Sequence, residues 1–313
     1  MRWRDLFCSR YMKAFEYQVP TYEELYSSVY GLTVSCGHEA IDKRCFVQRG
    51  KITMLFSRMC EIRTAFAQNI AARILIDECQ GSQAGVLAFS GHCSGERYLF
   101  SMAAMLAGVH IWRYERGLVL KEIREAEADR HAEFVKKLQA SRLRIEDGAS
   151  IDPDQMVMFA RAANRDGRIG LVIVDQLQDF DCGGARNASA GWGVVGSRLH
   201  QMATELDAPV LVLSGHPLGA WGGMDTYAGY GCLFDYIDHV LSLTPIAPAS
   251  EDYKRELLLK EISAPNDTGV RVVMDVATYQ LVGCCPMKRS EPPPGMPLAE
   301  DCLSPRDQSQ AEK

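Results

Sequence analysis

The sequence predicts an α/β protein with a mostly parallel central sheet and helices on both of its faces. The apolar run 170–174 indicates a strand buried on both sides, as strands of parallel sheets are. Strand-like and helix-like patterns alternate through the middle of the chain, which favours a parallel sheet covered by helices. Asp175 follows the apolar run directly, at the edge where open α/β sheets place their ligands.

The individual elements are predicted from local patterns. Apolar, β-branched runs predict strands at 51–56, 85–90, 143–145, 170–174, 210–214, 237–243, 256–262 and 270–274. One-sided apolar spacing predicts helices at 64–78, 95–108, 152–164 and 197–206, and a charged, mostly helical stretch at 118–143. The dipeptide Asp152-Pro153 is a strong helix-start signal, because proline fits the first helical turn. Glycine-rich loops are predicted at 182–196 and from 215 to 231.

Three regions are predicted along the chain. Residues 1–30 form a leader with a short helix at 24–30, which Thr21 and Glu24 open with a capping-box pattern. This helix packs either on its own domain or, as a linker, on a neighbouring subunit. Residues 31–285 form the main domain. Residues 286–313, rich in Pro, Ser and charged side chains, form a disordered tail.

Composition limits the classes of function. The 313 residues include 47% hydrophobic ones, enough for a sizeable core, and carry a net charge of -6. That charge disfavours a broadly basic protein that coats nucleic acid. Eleven cysteines without a Cys-x-x-Cys pair favour reduced thiols and disfavour zinc. Because no apolar run approaches the ~18 residues of a membrane span and no signal peptide is evident, we expect a soluble cytoplasmic protein without membrane contact.

Five segments carry a family resemblance, and they occur in the family's order. They are 37–42, Thr64-Ala-Phe-Ala-Gln-Asn-Ile-Ala, 89–96, Val174-Asp-Gln-Leu-Gln and 203–210. These segments resemble the ATPase domain of DnaB-type replicative DNA helicases, which reads Thr-Ala-Phe-Ala-Leu-Asn-Ile-Ala and Ile-Asp-Tyr-Leu-Gln at two of them. The resemblance runs from about Gly31 to Gly283 and implies a RecA-like P-loop NTPase core with ATP and Mg²⁺ as cofactors.

The phosphate-binding loop departs from the family pattern. Residues 57–64 stand where the family has a P-loop ending in Gly-Lys-Thr, yet neither expected glycine is present. Glycines let such a loop curl its N–H groups around phosphates, whereas Ile62 is poorly suited to positive φ. Glu61 adds a negative charge, and Arg63 replaces the lysine with a planar fork. The resemblance assigns nucleotide contacts to Ser57, Cys60, Glu61, Ile62, Arg63, Thr64, Gly215 and Lys260.

The catalytic positions are altered as well. His92 stands at the position of the family's catalytic glutamate, where a neutral imidazole is either a base or an ordinary polar loop residue. Gly215 replaces a phosphate-sensing glutamine, and Lys260 marks the strand from which the family's arginine finger is lost. Thr64 and Asp175 are retained and are the Mg²⁺ ligands that the resemblance implies; the alternative for Asp175 is a structural role in capping a turn or forming a salt bridge.

The resemblance also implies partners. The family forms ring hexamers that act in replication complexes, with single-stranded DNA in a central channel. The channel loops correspond to 181–196 and 216–231. The first loop contains Arg186, with Arg198 near its end, and the second loop contains no Lys or Arg. So few cations predict a weak grip on DNA phosphates, or simply surface loops.

Three functions stay open on the sequence. The first is a degenerate pseudo-ATPase of phage, plasmid or prophage origin, with an accessory or scaffold role in DNA replication or recombination. The second is an active ATP-dependent DNA helicase or translocase with an atypical nucleotide site. The third is a decaying gene product without a selected role. The four altered motif positions on an intact scaffold favour the first.

Overall fold

The computed structural model describes residues 33–44, 46–76, 84–110, 125–148, 151–180, 189–215, 231–246, 253–262, 264 and 267–287. The strands are β1 (Ile52–Ser57), β2 (Gly85–Ser90), β3 (Leu143–Asp147), β4 (Ile169–Asp175), β5 (Val210–Gly215), β6 (His239–Pro245), β7 (Lys254–Glu261), β8 (Val270–Asp275) and β9 (Leu281–Pro286). The helices are α1 (Glu39–Asp42), α2 (Cys60–Ile76), α3 (Gly95–Ala107), α4 (Glu125–Ala140), α5 (Pro153–Arg165) and α6 (Ser189–Leu206).

The described strands form one sheet in the order β3-β2-β4-β5-β1-β6-β7-β8-β9. The six strands from β3 to β6 are parallel, and β7, β8 and β9 continue the sheet as antiparallel neighbours. Because parallel strands end at the same edge, Ser57, Ser90, Asp175 and Gly215 are brought together there. The predicted α/β class with a mostly parallel sheet and helices on both faces is therefore confirmed.

The core has two layers, one on each face of the sheet. Successive residues of β1 point to opposite faces, as strand geometry requires. Leu55 belongs to the layer that contains apolar residues of α2 and α3. Met54 and Phe56 belong to the layer that contains apolar residues of α5 and α6. The central strands are therefore buried on both sides, which fixes the positions of the residues at their tips.

Two helices begin earlier than the sequence pattern predicts. α2 starts at Cys60 instead of residue 64, so residues predicted as a loop form its first turn. α6 starts at Ser189 instead of residue 197, and the predicted loop at 182–196 is wrong over 189–196. The reason is burial: Trp192 and Val195 continue the buried stripe of α6 and outweigh the low helix propensity of the glycines.

The last strand was not predicted. β9 pairs antiparallel with β8, and its final residue is Pro286, where the sequence predicts the start of the tail. Gly283 and two cysteines weaken the strand pattern, and pairing with β8 supplies the hydrogen bonds. The predicted leader 1–30, its helix and residues 288–313 lie outside the described residues. Within the described part, no helix combines the length and apolar character that crossing a bilayer requires.

Candidate functional site

The turn between β1 and α2 occupies the position of the predicted phosphate loop. β1 ends at Ser57 and α2 begins at Cys60, so only Arg58 and Met59 connect them. The backbone N–H of Arg63 donates to the carbonyl of Met59 at 3.1 Å, as in a regular helical turn. Residues 60–63 are therefore helical, and this N–H is not available to a phosphate.

Two side chains of the first helical turn are buried in the core. Ile62 is 1% exposed and packs with residues of the sheet. Arg63 is also 1% exposed. Its Nη1 donates to the carbonyl of Ser57 at 2.6 Å and to the carbonyl of Ser214 at 2.8 Å. The guanidinium thus connects the start of α2 to the tips of β1 and β5 and points into the protein.

Thr64 and Asp175 are in direct contact. Thr64 Oγ1 donates to Asp175 Oδ2 at 2.7 Å. The Asp175 side chain is completely buried, and its Oδ1 has no hydrogen-bond partner in the described part of the chain. Burial raises the pKa of Asp175, while the charge of His92, the Thr64 hydrogen bond and Arg63 oppose this rise.

His92 lies in the turn that follows β2 and is exposed. A side-chain hydrogen bond with Cys93 raises the pKa of its imidazole. Desolvation lowers this pKa, and the nearby Asp175 carboxylate raises it further. His92 and Asp175 thus lie close enough for the charge of each to affect the pKa of the other. An imidazole at this position differs from the carboxylate that the family carries, because its protonated form is a cation and only its neutral form can accept a proton.

The remaining residues of the predicted phosphate loop differ in exposure. Cys60 is half-buried. Burial is the main cause that raises the pKa of its thiol, and a hydrogen bond with Glu61 is the second. Glu61 is exposed in the first turn of α2, where the helix dipole favours a negative charge. Its carboxylate stabilises the helix and would repel a phosphate at the same N-terminus.

Gly215 ends β5, next to Gln178. A side chain at position 215 would lie 2.7 Å from Gln178 Nε2. Gln178 therefore fills the space where a larger residue at 215 would sit. Sequence reasoning missed this role of Gln178, although the residue belongs to the segment that carries the family resemblance.

The predicted finger strand is displaced from the cluster. Lys260 lies opposite Ser242 of β6, which in turn pairs with Phe56 of β1. Its backbone is therefore two strands away from β1, about 10 Å at ordinary strand spacing. The cation that contacts the turn is Arg255 of the same strand, whose Nη1 lies 2.9 Å from Met59 Sδ. The sequence offered no signal for this contact, because it depends on the pairing register of β7.

The predicted DNA contacts are only partly described. Arg186 and residues 181–188 and 216–230 lie outside the described residues. Arg198 lies within α6, where its Nε is 2.5 Å from Asp154 Oδ1 and its Nη1 donates to Gln201 at 3.2 Å. The contact with Asp154 connects α6 to α5, whereas Gln201 lies in α6 itself, so Arg198 belongs to a helix surface and not to a loop.

The oxygen atoms of Thr64 and Asp175 are of the type that Mg²⁺ prefers. The described residues contain no group of three or more His, Cys, Asp or Glu side chains placed to hold a metal ion. The turn before them does not fit a phosphate cradle, because residues 60–63 are helical and Arg63 points inward. The site thus keeps the metal-binding oxygen types without the loop that would hold the phosphates.

Comparisons with known proteins agree with this architecture. The sequence model of the DnaB-like helicase C terminal domain matches residues 33–215. A solved ATPase domain superposes with a TM-score of 0.68 at 17% identity, covering 84% of this chain and 95% of that one. A DnaB-like replicative helicase, described with its interactions with primase, gives a TM-score of 0.67 at 17% identity over 83% of this chain. The chain spans 64% of that helicase. No curated protein sequence gives a significant match.

Proposed function

The chain belongs to the DnaB-like helicase C-terminal domain family, and from this premise we propose that it acts in DNA replication without hydrolysing ATP. In this proposal it is an accessory or scaffold member of a replication or recombination assembly in the cytoplasm. The RecA-like core is retained as a rigid body that presents surfaces to other proteins.

The observation that carries the proposal is the inward position of Arg63. Its guanidinium donates to the carbonyls of Ser57 and Ser214, so the cation that would reach a phosphate is committed to the protein. The N–H of the same residue is used within α2. A loop without these donors lacks the anion-binding concavity on which P-loop catalysis depends.

The proposed partners follow from family membership. Assembly with further copies of this chain, or with a family helicase, would use the RecA-like core. Primase is a second candidate, since a similar helicase structure is described with its interactions with primase. Single-stranded DNA is a third, supported by Arg186 in the sequence and less by Arg198, which is engaged with Asp154.

A second candidate function is an active ATP-dependent helicase or translocase with an atypical site. The contact between Thr64 and Asp175 favours it, because a Mg²⁺-binding pair needs these residues side by side. The N-terminus of α2 also retains the dipole that attracts anions. In this alternative, His92 would orient the attacking water.

An unwinding assay separates the two candidates. A DnaB-type replicative helicase would unwind forked DNA with ATP, alone and with this chain as wild type, Thr64→Ala or Asp175→Asn. The accessory role predicts that the wild type changes the unwinding rate and that folded variants change it equally. If either folded variant loses the effect, or if the chain alone unwinds DNA, the active-enzyme candidate replaces the proposal.

A further inference from the structure

A basic cleft lies at the edge of the sheet opposite to the candidate site, where β1, β4 and β5 begin. Its volume is about 150 Å³, and three arginines line it: Arg49, Arg73 and Arg168. Asp207 is the single acidic residue among the described lining residues. The apolar lining residues are Val34, Ile74, Ala84 and Ile169. The cleft therefore combines an apolar surface with an excess of positive charge.

The Asp207 carboxylate shows how these arginines hold an anion. Arg49 Nη2 donates to Asp207 Oδ2, and Arg49 Nε donates to the Asp207 carbonyl at 3.2 Å. Arg168 Nη2 lies 4.0 Å from the same Oδ2. One carboxylate oxygen thus accepts a hydrogen bond from Arg49 and lies within ion-pair distance of Arg168.

Two arginine side chains, Arg142 and the lining residue Arg73, pack on glycines. The Arg142 guanidinium packs on Gly167, where a side chain would clash with its Nη2. Arg73 forms another wall and packs on Gly37, where a side chain would lie 2.9 Å from Arg73 Cδ. The Arg168 side chain is 57% exposed, so it is accessible to a binding partner.

We propose that this cleft binds a short acidic segment of a partner protein. Carboxylates of the segment would meet Arg168 and Arg73, and a small aliphatic side chain would cover the apolar surface. A short acidic peptide carries few charges, so the net charge of -6 opposes its binding less than it opposes the binding of a long polyanion such as nucleic acid. The described lining also contains no aromatic side chain on which a base could stack.

Peptide binding to the full chain tests this site. The probe is a fluorescein-labelled acidic peptide, Ala-Leu-Glu-Asp-Leu-Ala. The control is a neutral peptide in which Gln replaces Glu and Asn replaces Asp. Fluorescence anisotropy would compare the wild type with Arg168→Glu and with Arg130→Glu, an equal charge change on an exposed residue of α4. We expect Arg168→Glu to weaken binding of the acidic peptide at least about tenfold, Arg130→Glu to leave it unchanged, and the neutral peptide not to bind.

Three results would overturn the assignment. The first is that the acidic peptide does not bind the wild type, and the second is that both substitutions weaken its binding equally. The third is that a single-stranded oligonucleotide of equal charge displaces the peptide and that Arg168→Glu weakens the binding of this oligonucleotide. The last result would give the cleft to nucleic acid. The inference adds a partner class to the proposed scaffold role. Because the peptide assay uses neither nucleotide nor helicase, its failure is distinguishable from a failure in the unwinding assay.

Discussion

Arg63 Nη1 donates to the carbonyl of Ser214 at 2.8 Å, which connects the first turn of α2 to the tip of β5. In the family, both places contribute to nucleotide contacts, a lysine from the helix start and a sensing residue after the strand. Here the cation joins the two elements directly. Arg63 therefore contributes to the stability of the protein. A substitution at this position should change the free energy of unfolding, whereas the corresponding substitution in an ATPase would change turnover.

Removal of the Arg63 side chain should destabilise the protein strongly. Arg63→Ala leaves the buried carbonyls of Ser57 and Ser214 without this donor and opens a cavity. We expect a loss of about 2–5 kcal/mol in the free energy of unfolding, measured by urea denaturation. The control Arg58→Ala changes an exposed side chain of the same turn and should cost no more than about 0.5 kcal/mol. Equal effects of the two substitutions would refute a structural role for Arg63.

The Thr64 hydroxyl should contribute through its hydrogen bond with Asp175. Thr64→Val keeps the shape and branching of the side chain but removes the donor to Asp175 Oδ2. We expect a loss of about 1–3 kcal/mol, because the buried carboxylate loses its partner. Thr64→Ser retains the hydroxyl and should recover most of this loss in the same denaturation experiment. If Val and Ser variants were equally stable, the hydrogen bond would carry little energy.

The raised pKa of Asp175 predicts a pH dependence. Burial raises this pKa above its ordinary value of 3.8, so between the two values the folded state binds more protons than the unfolded state. The contribution of Asp175 to stability is therefore largest at acidic pH and declines as the pH rises towards the folded-state pKa. Asp175→Asn should remove this decline, and the difference in unfolding free energy between variant and wild type should grow in favour of the variant with rising pH. An opposite slope in the thermal unfolding series would show that the folded protein prefers the ionised carboxylate.

Restoring a family glycine should destabilise the fold. Ile62 is 1% exposed, so Ile62→Gly deletes a core side chain and adds a flexible residue to α2. The expected loss is about 3–5 kcal/mol in the free energy of unfolding. Ile62→Val, which keeps most of the volume, should cost about 1 kcal/mol. A glycine variant that is stable and hydrolyses ATP would show that residue 62 belongs to a working loop.

The sequence predicts the parallel sheet well because β1, β2, β4 and β5 are buried on both faces and read as continuous apolar runs. It predicts α6 and β9 less well. The eight extra residues of α6 are held by burial of Trp192 and Val195, and β9 by pairing with β8, so neither depends on local propensity alone.

For the site, the family resemblance indicates Thr64, Asp175 and His92 as candidate residues, and the position at the end of a strand supports Asp175. The sequence does not show that Arg63 points inward, because that orientation depends on carbonyls from β1 and from β5, which is far from Arg63 in the sequence. The contact between Arg255 and Met59 is likewise invisible without the register of β7. The orientation of Arg63 and the contact with Met59 therefore depend on the pairing of strands that lie far apart in the sequence.

The most direct test of the account is equilibrium binding of a fluorescent ATP analogue with Mg²⁺ to the wild type and to Thr64→Ala. Because the Nη1 and the backbone N–H of Arg63 donate to carbonyls within the protein, we expect no saturable binding to either protein at millimolar nucleotide. Micromolar binding by the wild type that is lost in a folded Thr64→Ala variant would contradict the account and show that the altered loop still holds phosphates.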